Sequence, residues 1–346
     1  MICFLYNSPL KYVLILSVWL FSVQSLTQVS PMHEKGFVKD TTSKIDHPYI
    51  LPIYGEKVKN MGHRLPLPFG FMFNYVLQET RLNITKLKVG IGGSDLEELD
   101  FVQFDPVVNT ANVFNVRADA WLFPFLNLYA IYAHSEGNAN IDITFPINLN
   151  IATTPSVDTY GGGMVLAYGR NNYFGAANLN LSSSHTSALD EPVFGMVTSL
   201  RVGRVFDLHG SDNRISFSVG AQNQYIERLS AGSLKISDGF ASLDPEKLDD
   251  LKQQIGDSAE NWYDDLSRPQ QLVVDQLVAR MEDWLDGKDI GDTEIRYEFE
   301  KETLGDWSLQ VGVQYMHGDH YWYRLEGGFG RGRTQLLFSF NYRFGL

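Results

Sequence analysis

If this chain performs catalysis, the first place to look is SSSHTSALDE, where His185 and Ser187 stand two residues apart and Asp190 follows. A serine becomes a nucleophile when a base lies within hydrogen-bond reach and a third group orients that base. The stretch offers all three residue types, yet it also reads as a turn rich in Ser and Thr, where a histidine needs no role. His317, Asp319 and His320 form a second grouping in one short loop. Two or three ligands from a single loop do not close a metal site, so this loop reads as a polar turn. His134 and His209 lie at strand ends or turns without ligand spacing. Gly161, Gly162 and Gly163 lack the lysine and helix of a phosphate loop. Within a strand they permit bending or a close approach. No metal and no cofactor are expected.

The elements that must position these residues follow a rhythm of two. In the final stretch RTQLLFSFNYRFGL, Thr334, Leu336, Phe338, Phe340, Tyr342 and Phe344 share one face of a strand. Arg333, Gln335, Ser339, Asn341 and Arg343 share the other. The alternation recurs along the chain: Phe69, Phe71, Phe73, Tyr75 and Leu77; then Phe114, Val116, Ala118 and Ala120; then Ile215, Phe217, Val219 and Ala221; then Trp307, Leu309, Val311, Val313 and Tyr315. Turn residues separate the segments. A soluble antiparallel sheet gives this pattern with the apolar face in its core, and a transmembrane barrel gives it with that face towards lipid. The polar faces carry Asn, Gln, Ser and Gly with a few charges, not the Lys/Glu mixture of a soluble surface. Tyr160, Tyr168, Tyr173, Tyr315, Tyr321 and Tyr342 fall near strand ends, as interfacial girdles require. The expected fold is therefore all-β, a transmembrane antiparallel β-barrel. The segmentation gives twelve or thirteen strands, depending on whether 82–93 and 138–147 both belong to the wall. Because such barrels close with even numbers, about twelve is the expectation.

The amino-terminal 25 residues separate the two readings. Lys11 precedes an apolar run from Tyr12 to Val23, and Gln24 and Ser25 follow. That is the form of a secretory signal peptide over 1–25, too short to span a bilayer as a helix. The single cysteine, Cys3, lies inside it, so an exported chain would have no disulfide to staple it. Residues 26–65 form a polar lead-in and 66–346 the barrel. The net charge of −13 argues against a nucleic-acid partner.

FNYRFGL resembles the carboxy-terminal signature of Gram-negative outer-membrane barrels, alternating aromatics that lead to Tyr-x-Phe. Phe340, Tyr342 and Phe344 match it, although Gly345 and Leu346 follow Phe344. The resemblance implies a cell outer-membrane location, contact with outer-membrane lipid and recognition by the barrel assembly machinery. It implies no activity. In such a barrel Arg117, Asp119, Arg201, Arg324, Glu326, Arg333 and Arg343 would face the lumen, either paired so as to fill it or lining an aqueous path. Outer-membrane phospholipases and lipid deacylases place a histidine and a serine at the barrel's outer edge, and His185 with Ser187 looks like such a pair. The Asn-Gly usual after that pair is replaced here by Ala188 and Leu189.

Between Ile226 and Thr293 the period changes. Asp244, Pro245 and Glu246 make a helix start. A second helix is expected from near Pro269, with Val274, Leu277, Val278, Met281 and Leu285 as its apolar stripe and Gly287 as its stop. Residues 238–292 hold 15 acidic and 5 basic residues and so carry most of the chain's negative charge. Counting back from a periplasmic carboxy terminus, with EIRYEFEK as a wall strand, puts this acidic helical insert on the periplasmic side, where it could dock a periplasmic partner. The functional expectation is a passive or gated conduit for a small solute. The alternatives are a structural or partner-docking barrel and a membrane-edge lipid hydrolase.

Overall fold

A computed structural model of the chain describes residues 33–34, 48–146, 149–186, 189–235, 262–288 and 293–346. Ten antiparallel strands close into a barrel: β1 (Phe69–Ile91), β2 (Val107–Phe123), β3 (Leu126–Phe145), β4 (Ser156–Arg170), β5 (Tyr173–His185), β6 (Val193–Asp207), β7 (Arg214–Ile226), β8 (Trp307–His317), β9 (Tyr321–Gly330) and β10 (Arg333–Phe344). Each wall strand pairs with the next, and β1 closes the ring by pairing with β10 from Phe69↔Phe344 to Thr80↔Arg333 and with β2 from Phe69↔Ala120 to Leu82↔Val107. Closure leaves no unpaired edge in the wall, so backbone polar groups need no water.

The wall has ten strands, not twelve. The extra segments at 82–93 and 138–147 are the upper parts of β1, 23 residues long, and β3, 20 residues long. Along β1 the buried positions run even as far as Leu82 and odd at Leu87, Val89 and Ile91. The register slips at a bulge opposite Glu300 and Lys301. That change of phase makes one long strand look like two.

Outward positions carry the apolar residues: Leu200 is 65% exposed, and Val202, Val219, Leu309, Val311 and Leu325 are also exposed. This band lies between two aromatic rings. Phe71, Tyr168, Tyr173, Tyr321 and Tyr342 ring the rim that holds Phe69 and Phe344, and Tyr132, Tyr160, Phe194, Tyr225, Trp307 and Phe329 ring the opposite rim. From Tyr321 to Phe329 is eight residues along one strand, about 20 Å at ~3.3 Å per residue and ~40° tilt, close to the height of a lipid-facing band. Among the described residues no helix is long and apolar enough to cross a membrane, so any crossing is made by the strands.

At the Phe69/Phe344 rim the connections are short. Asn171 and Asn172 join β4 to β5 with positive φ at both positions, the backbone of a two-residue hairpin turn that asparagine tolerates. The lead-in docks on this rim: its short helix Gly55–Asn60 is preceded by Ile53, whose N–H donates to Leu122 O at 2.9 Å.

The opposite rim carries the long connection from β7 to β8. Strand Glu294–Thr303 pairs with the upper half of β1, and Leu229–Lys235 pairs with it in turn. EIRYEFEK is therefore a strand outside the wall, and the connection rises from the rim away from Phe344. The sequence count placed it on the carboxy-terminal side because it included that strand in the wall. Over this extension Leu87, Val89, Ile91, Ile295, Tyr297 and Phe299 form a small core. The helix Arg268–Leu285 covers it with Val273 and Leu277, and Trp262 stacks on Phe101 at 5.3 Å. The first helix expected in the insert, around Asp244, lies outside the described residues, as do residues 1–25.

Candidate lumenal charge network

Inside the wall the alternation turns polar side chains inward, and they are buried there. Arg117 and Asp119, two apart on β2, share an inward face. Arg117 Nη2 donates to Asn127 Oδ1 at 2.6 Å, and Asn127 Nδ2 donates to Asp119 Oδ1 at 2.6 Å. Arg343 Nη2, on β10, reaches the same Asp119 oxygen at 3.1 Å. The two guanidiniums also lie against rings, Arg117 over Tyr129 at 3.7 Å and Arg343 over Trp322 at 4.9 Å. Cation–π contact of this kind is strongest where water is excluded. Tyr129 extends the cluster by donating its hydroxyl to Asn178 Oδ1 at 2.9 Å.

A second cluster spans strands further apart. Arg201 on β6 donates to Glu326 Oε1 on β9 at 2.9 Å, and Arg324 bonds the other Glu326 oxygen. Arg324 stands within electrostatic range of both Arg201 and Arg117, so the clusters are one system. Arg333 Nη2 donates to Ser308 Oγ at 3.3 Å, and Gln335 Nε2 donates to Gln310 Oε1 at 3.3 Å.

Small residues in the wall make room for these side chains. A Cβ on Gly70 would lie 2.8 Å from both Arg343 Nη1 and Asp119 Oδ2, and one on Gly220 would lie 2.7 Å from Arg201 Cγ. These side chains therefore lie over glycines of the neighbouring strands, and Glu326 and Arg117, each at 1% exposure, meet no bulk water. Burying charges this deeply is costly unless each is paired and hydrogen-bonded. The clusters offset part of that cost by sharing two carboxylates, Asp119 and Glu326.

Among the described residues, the other groupings named from the sequence lie apart from this side-chain network. His185 faces outward and is exposed. Its Nε2 lies 3.3 Å from Ser183 Oγ and its ring packs edge-on against Tyr160 at 5.9 Å. Ser187 lies outside the described residues. Its cross-strand partner Asp158 is held instead by His134 Nδ1 at 2.9 Å and the Tyr132 hydroxyl at 2.8 Å. In the HGDH turn, Asp319 binds Arg64 at 2.6 Å and Arg214 at 3.3 Å, and His320 Nδ1 contacts Arg343 O at 2.8 Å. Among the described residues no His, Cys, Asp and Glu group is arranged to hold a metal ion. Phe344 stacks with Phe69, Phe71 and Tyr342, and Phe340 packs against Tyr321 and Tyr323, so all three residues of the terminal motif belong to the outward aromatic surface.

A closed antiparallel barrel with an apolar belt outside and a polar interior is the build of an outer-membrane β-barrel. No family model matches the chain, and no curated protein matches it. Among solved structures it is similar to the β-domain of the Bordetella autotransporter BrkA, at 10% identity and TM-score 0.36, over 80% of this chain and 99% of that one. An outer membrane channel from Pseudomonas putida F1 aligns at 9% identity and TM-score 0.31, over 81% and 97%. The transport unit of the autotransporter AIDA-I from Escherichia coli aligns at 7% identity and TM-score 0.33, over 81% and 90%. At that distance none of them decides anything about this chain, and the barrel reading rests on its own strand pairing.

Proposed function

We propose that the chain is exported through its first 25 residues to the outer membrane of a Gram-negative envelope. There it acts as a gated conduit for a small solute and is shut in the state described above. The observation that carries this reading is the interior. It holds a charged layer built on the shared pairs of Asp119 and Glu326, set between apolar clusters that include Trp121, Trp322 and Val205 on one side and Val76, Val113 and Leu337 on the other. An apolar filling would close a barrel permanently, whereas a network of ion pairs can exchange partners and admit water. Arg117, Asp119, Arg201, Arg324, Glu326, Arg333 and Arg343 line the proposed path, and Phe340, Tyr342 and Phe344 serve as the assembly signal.

Planar-bilayer recording tests the conduit. Purified wild type should stay closed most of the time, and Glu326→Gln should show discrete openings. Absence of current in both would remove the conduit reading.

A second reading is favoured by the crowding of the strands Leu229–Lys235 and Glu294–Thr303 and the helix Arg268–Leu285 at one rim. If the carboxy terminus is periplasmic, that platform faces outward and offers its acidic surface to an external, basic partner rather than a periplasmic one. Loss of partner capture on deleting residues 238–292, with the barrel still formed, would support it.

A further inference from the structure

Two arginines of the wall depart from the pattern of inward or paired charge. Arg170 ends β4 and Arg204 lies on β6, and both face outward and are exposed. The register sets them in one row with Tyr173 of β5 between them, Arg170↔Tyr173↔Arg204. Their Cα atoms are therefore about 10 Å apart, two strand spacings. Arg204 leans over this row: its guanidinium carbon lies 5.1 Å from the centre of the Tyr173 ring and 5.0 Å from that of Phe206. Among the described residues neither guanidinium is paired with a carboxylate. Asp207, three residues on, falls on the opposite phase of the strand and stands across from Arg214. The other arginines of the wall are turned inward or, at Arg81, bound to Glu79 at 2.8 Å.

A furrow runs from this row into the apolar belt. The next outward positions on β5 are Gly175 and Ala177, flanked by Tyr168 and Leu166 on β4 and by Val202 and Leu200 on β6. The four flanking side chains, from 47% exposed at Leu166 to 65% at Leu200, stand above the two small residues. A Cβ on Gly175 would meet nothing closer than Arg201 O at 3.9 Å, so the space over it is open.

We propose that this row binds an anionic glycerophospholipid, its phosphate held between Arg170 and Arg204 and one acyl chain laid along the furrow over Gly175 and Ala177. A guanidinium presents paired N–H donors that match the oxygens of a phosphate, and two of them at a membrane interface favour a headgroup of net negative charge. The Tyr173 hydroxyl supplies a further donor at the same level. Arginines that only snorkel to an interface need no furrow beneath them. The site rests on the belt lying in lipid and is independent of whether the lumen conducts.

The test uses the full-length barrel in a non-ionic detergent with phosphatidylglycerol, phosphatidylcholine or inorganic phosphate added. Its unfolding midpoint is read by heat-modifiable gel mobility. The wild type should show a saturable rise of about 5 °C with phosphatidylglycerol and none with the other two. The double variant Arg170→Gln, Arg204→Gln should move half-saturation about tenfold or more to higher lipid, by loss of charged donors. Gly175→Leu keeps both arginines, fills the furrow and should do the same. All three positions face outward, so both variants should still form heat-modifiable barrel, and either one alone decides the outcome. An equal rise with phosphatidylcholine or with inorganic phosphate would overturn the site, and so would an unchanged half-saturation in a variant. A wild-type dimer that Gly175→Leu dissociates would give the furrow to a second copy and overturn it too. A barrel that inserts into phosphatidylglycerol vesicles but lacks this preference loses the site alone, whereas one that enters no vesicle loses the lipid belt as well.

Discussion

Arg201 donates to Glu326 across the barrel interior at 2.9 Å, from β6 to β9, strands separated in the wall by β7 and β8. Glu326 also holds Arg324, so one carboxylate is shared by two guanidiniums, one from its own strand and one from β6. Removing its charge takes from two buried cations the carboxylate they share. Glu326→Gln should therefore destabilise the closed barrel by about 3–5 kcal/mol, the usual cost of breaking one side of a buried pair. Denaturant unfolding followed by tryptophan fluorescence measures that loss. A change below about 1 kcal/mol would mean that water already screens the pair.

Asp119 plays the corresponding part for Arg117 and Arg343, with Asn127 bridging. Asp119→Asn should be destabilising in the same direction. Combining it with Glu326→Gln should depart from additivity, because Arg324 feels Arg117 as well as Arg201. A double-mutant cycle that closes within about 0.3 kcal/mol would show two independent clusters.

The seat of Arg201 depends on a glycine in the adjacent strand, Gly220, its cross-strand partner. A side chain at Gly220 would meet Arg201 Cγ and the Leu200 carbonyl. Gly220→Val should lower the yield of heat-modifiable barrel sharply, whereas Gly210→Val, in an open turn at the rim, should act only through its backbone at φ +78° and cost less. Equal losses at the two positions would argue against a packed lumen.

Lys301 gives a pH signature above the wall. It is 2% exposed, donates to Ser230 Oγ at 2.7 Å, and burial pulls its ammonium down to about 7. The unfolded chain holds that proton up to about 10.5. The folded state therefore binds fewer protons between those values, and stability rises with pH from about 7 towards 10.5. Below pH 7 the cost of the buried charge is fully present. Midpoints recorded from pH 6 to pH 10 should climb in the wild type and flatten in Lys301→Met. A wild-type curve that falls over this range would contradict the assignment.

Much of this was legible in the residues and some was not. The facing of Arg117 with Asp119, or of Arg324 with Glu326, follows from a spacing of two on a strand. The barrel with its apolar belt followed from repetition of the same rhythm, since the belt uses local alternation alone. The number of strands did not follow. Leu82 and Leu87 are both buried, yet they lie on opposite phases of β1, and only the pairing partner Glu294–Thr303 explains the slip. The meeting of Arg201 with Glu326, 125 positions apart, depends on the order of strands around the ring, which no local pattern encodes.

The central claim is a shut, lipid-belted cylinder, and spin-label accessibility along β10 tests it most directly. With the only cysteine replaced, as Cys3→Ser, single cysteines from 333 to 344 report without background from the rest of the chain. In reconstituted vesicles, positions 336, 338, 340 and 342 should be open to oxygen and closed to a water-soluble nickel reagent, while 335, 339 and 341 should be closed to both. Nickel access at the first set would contradict the membrane belt, and nickel access at the second would contradict the filled lumen.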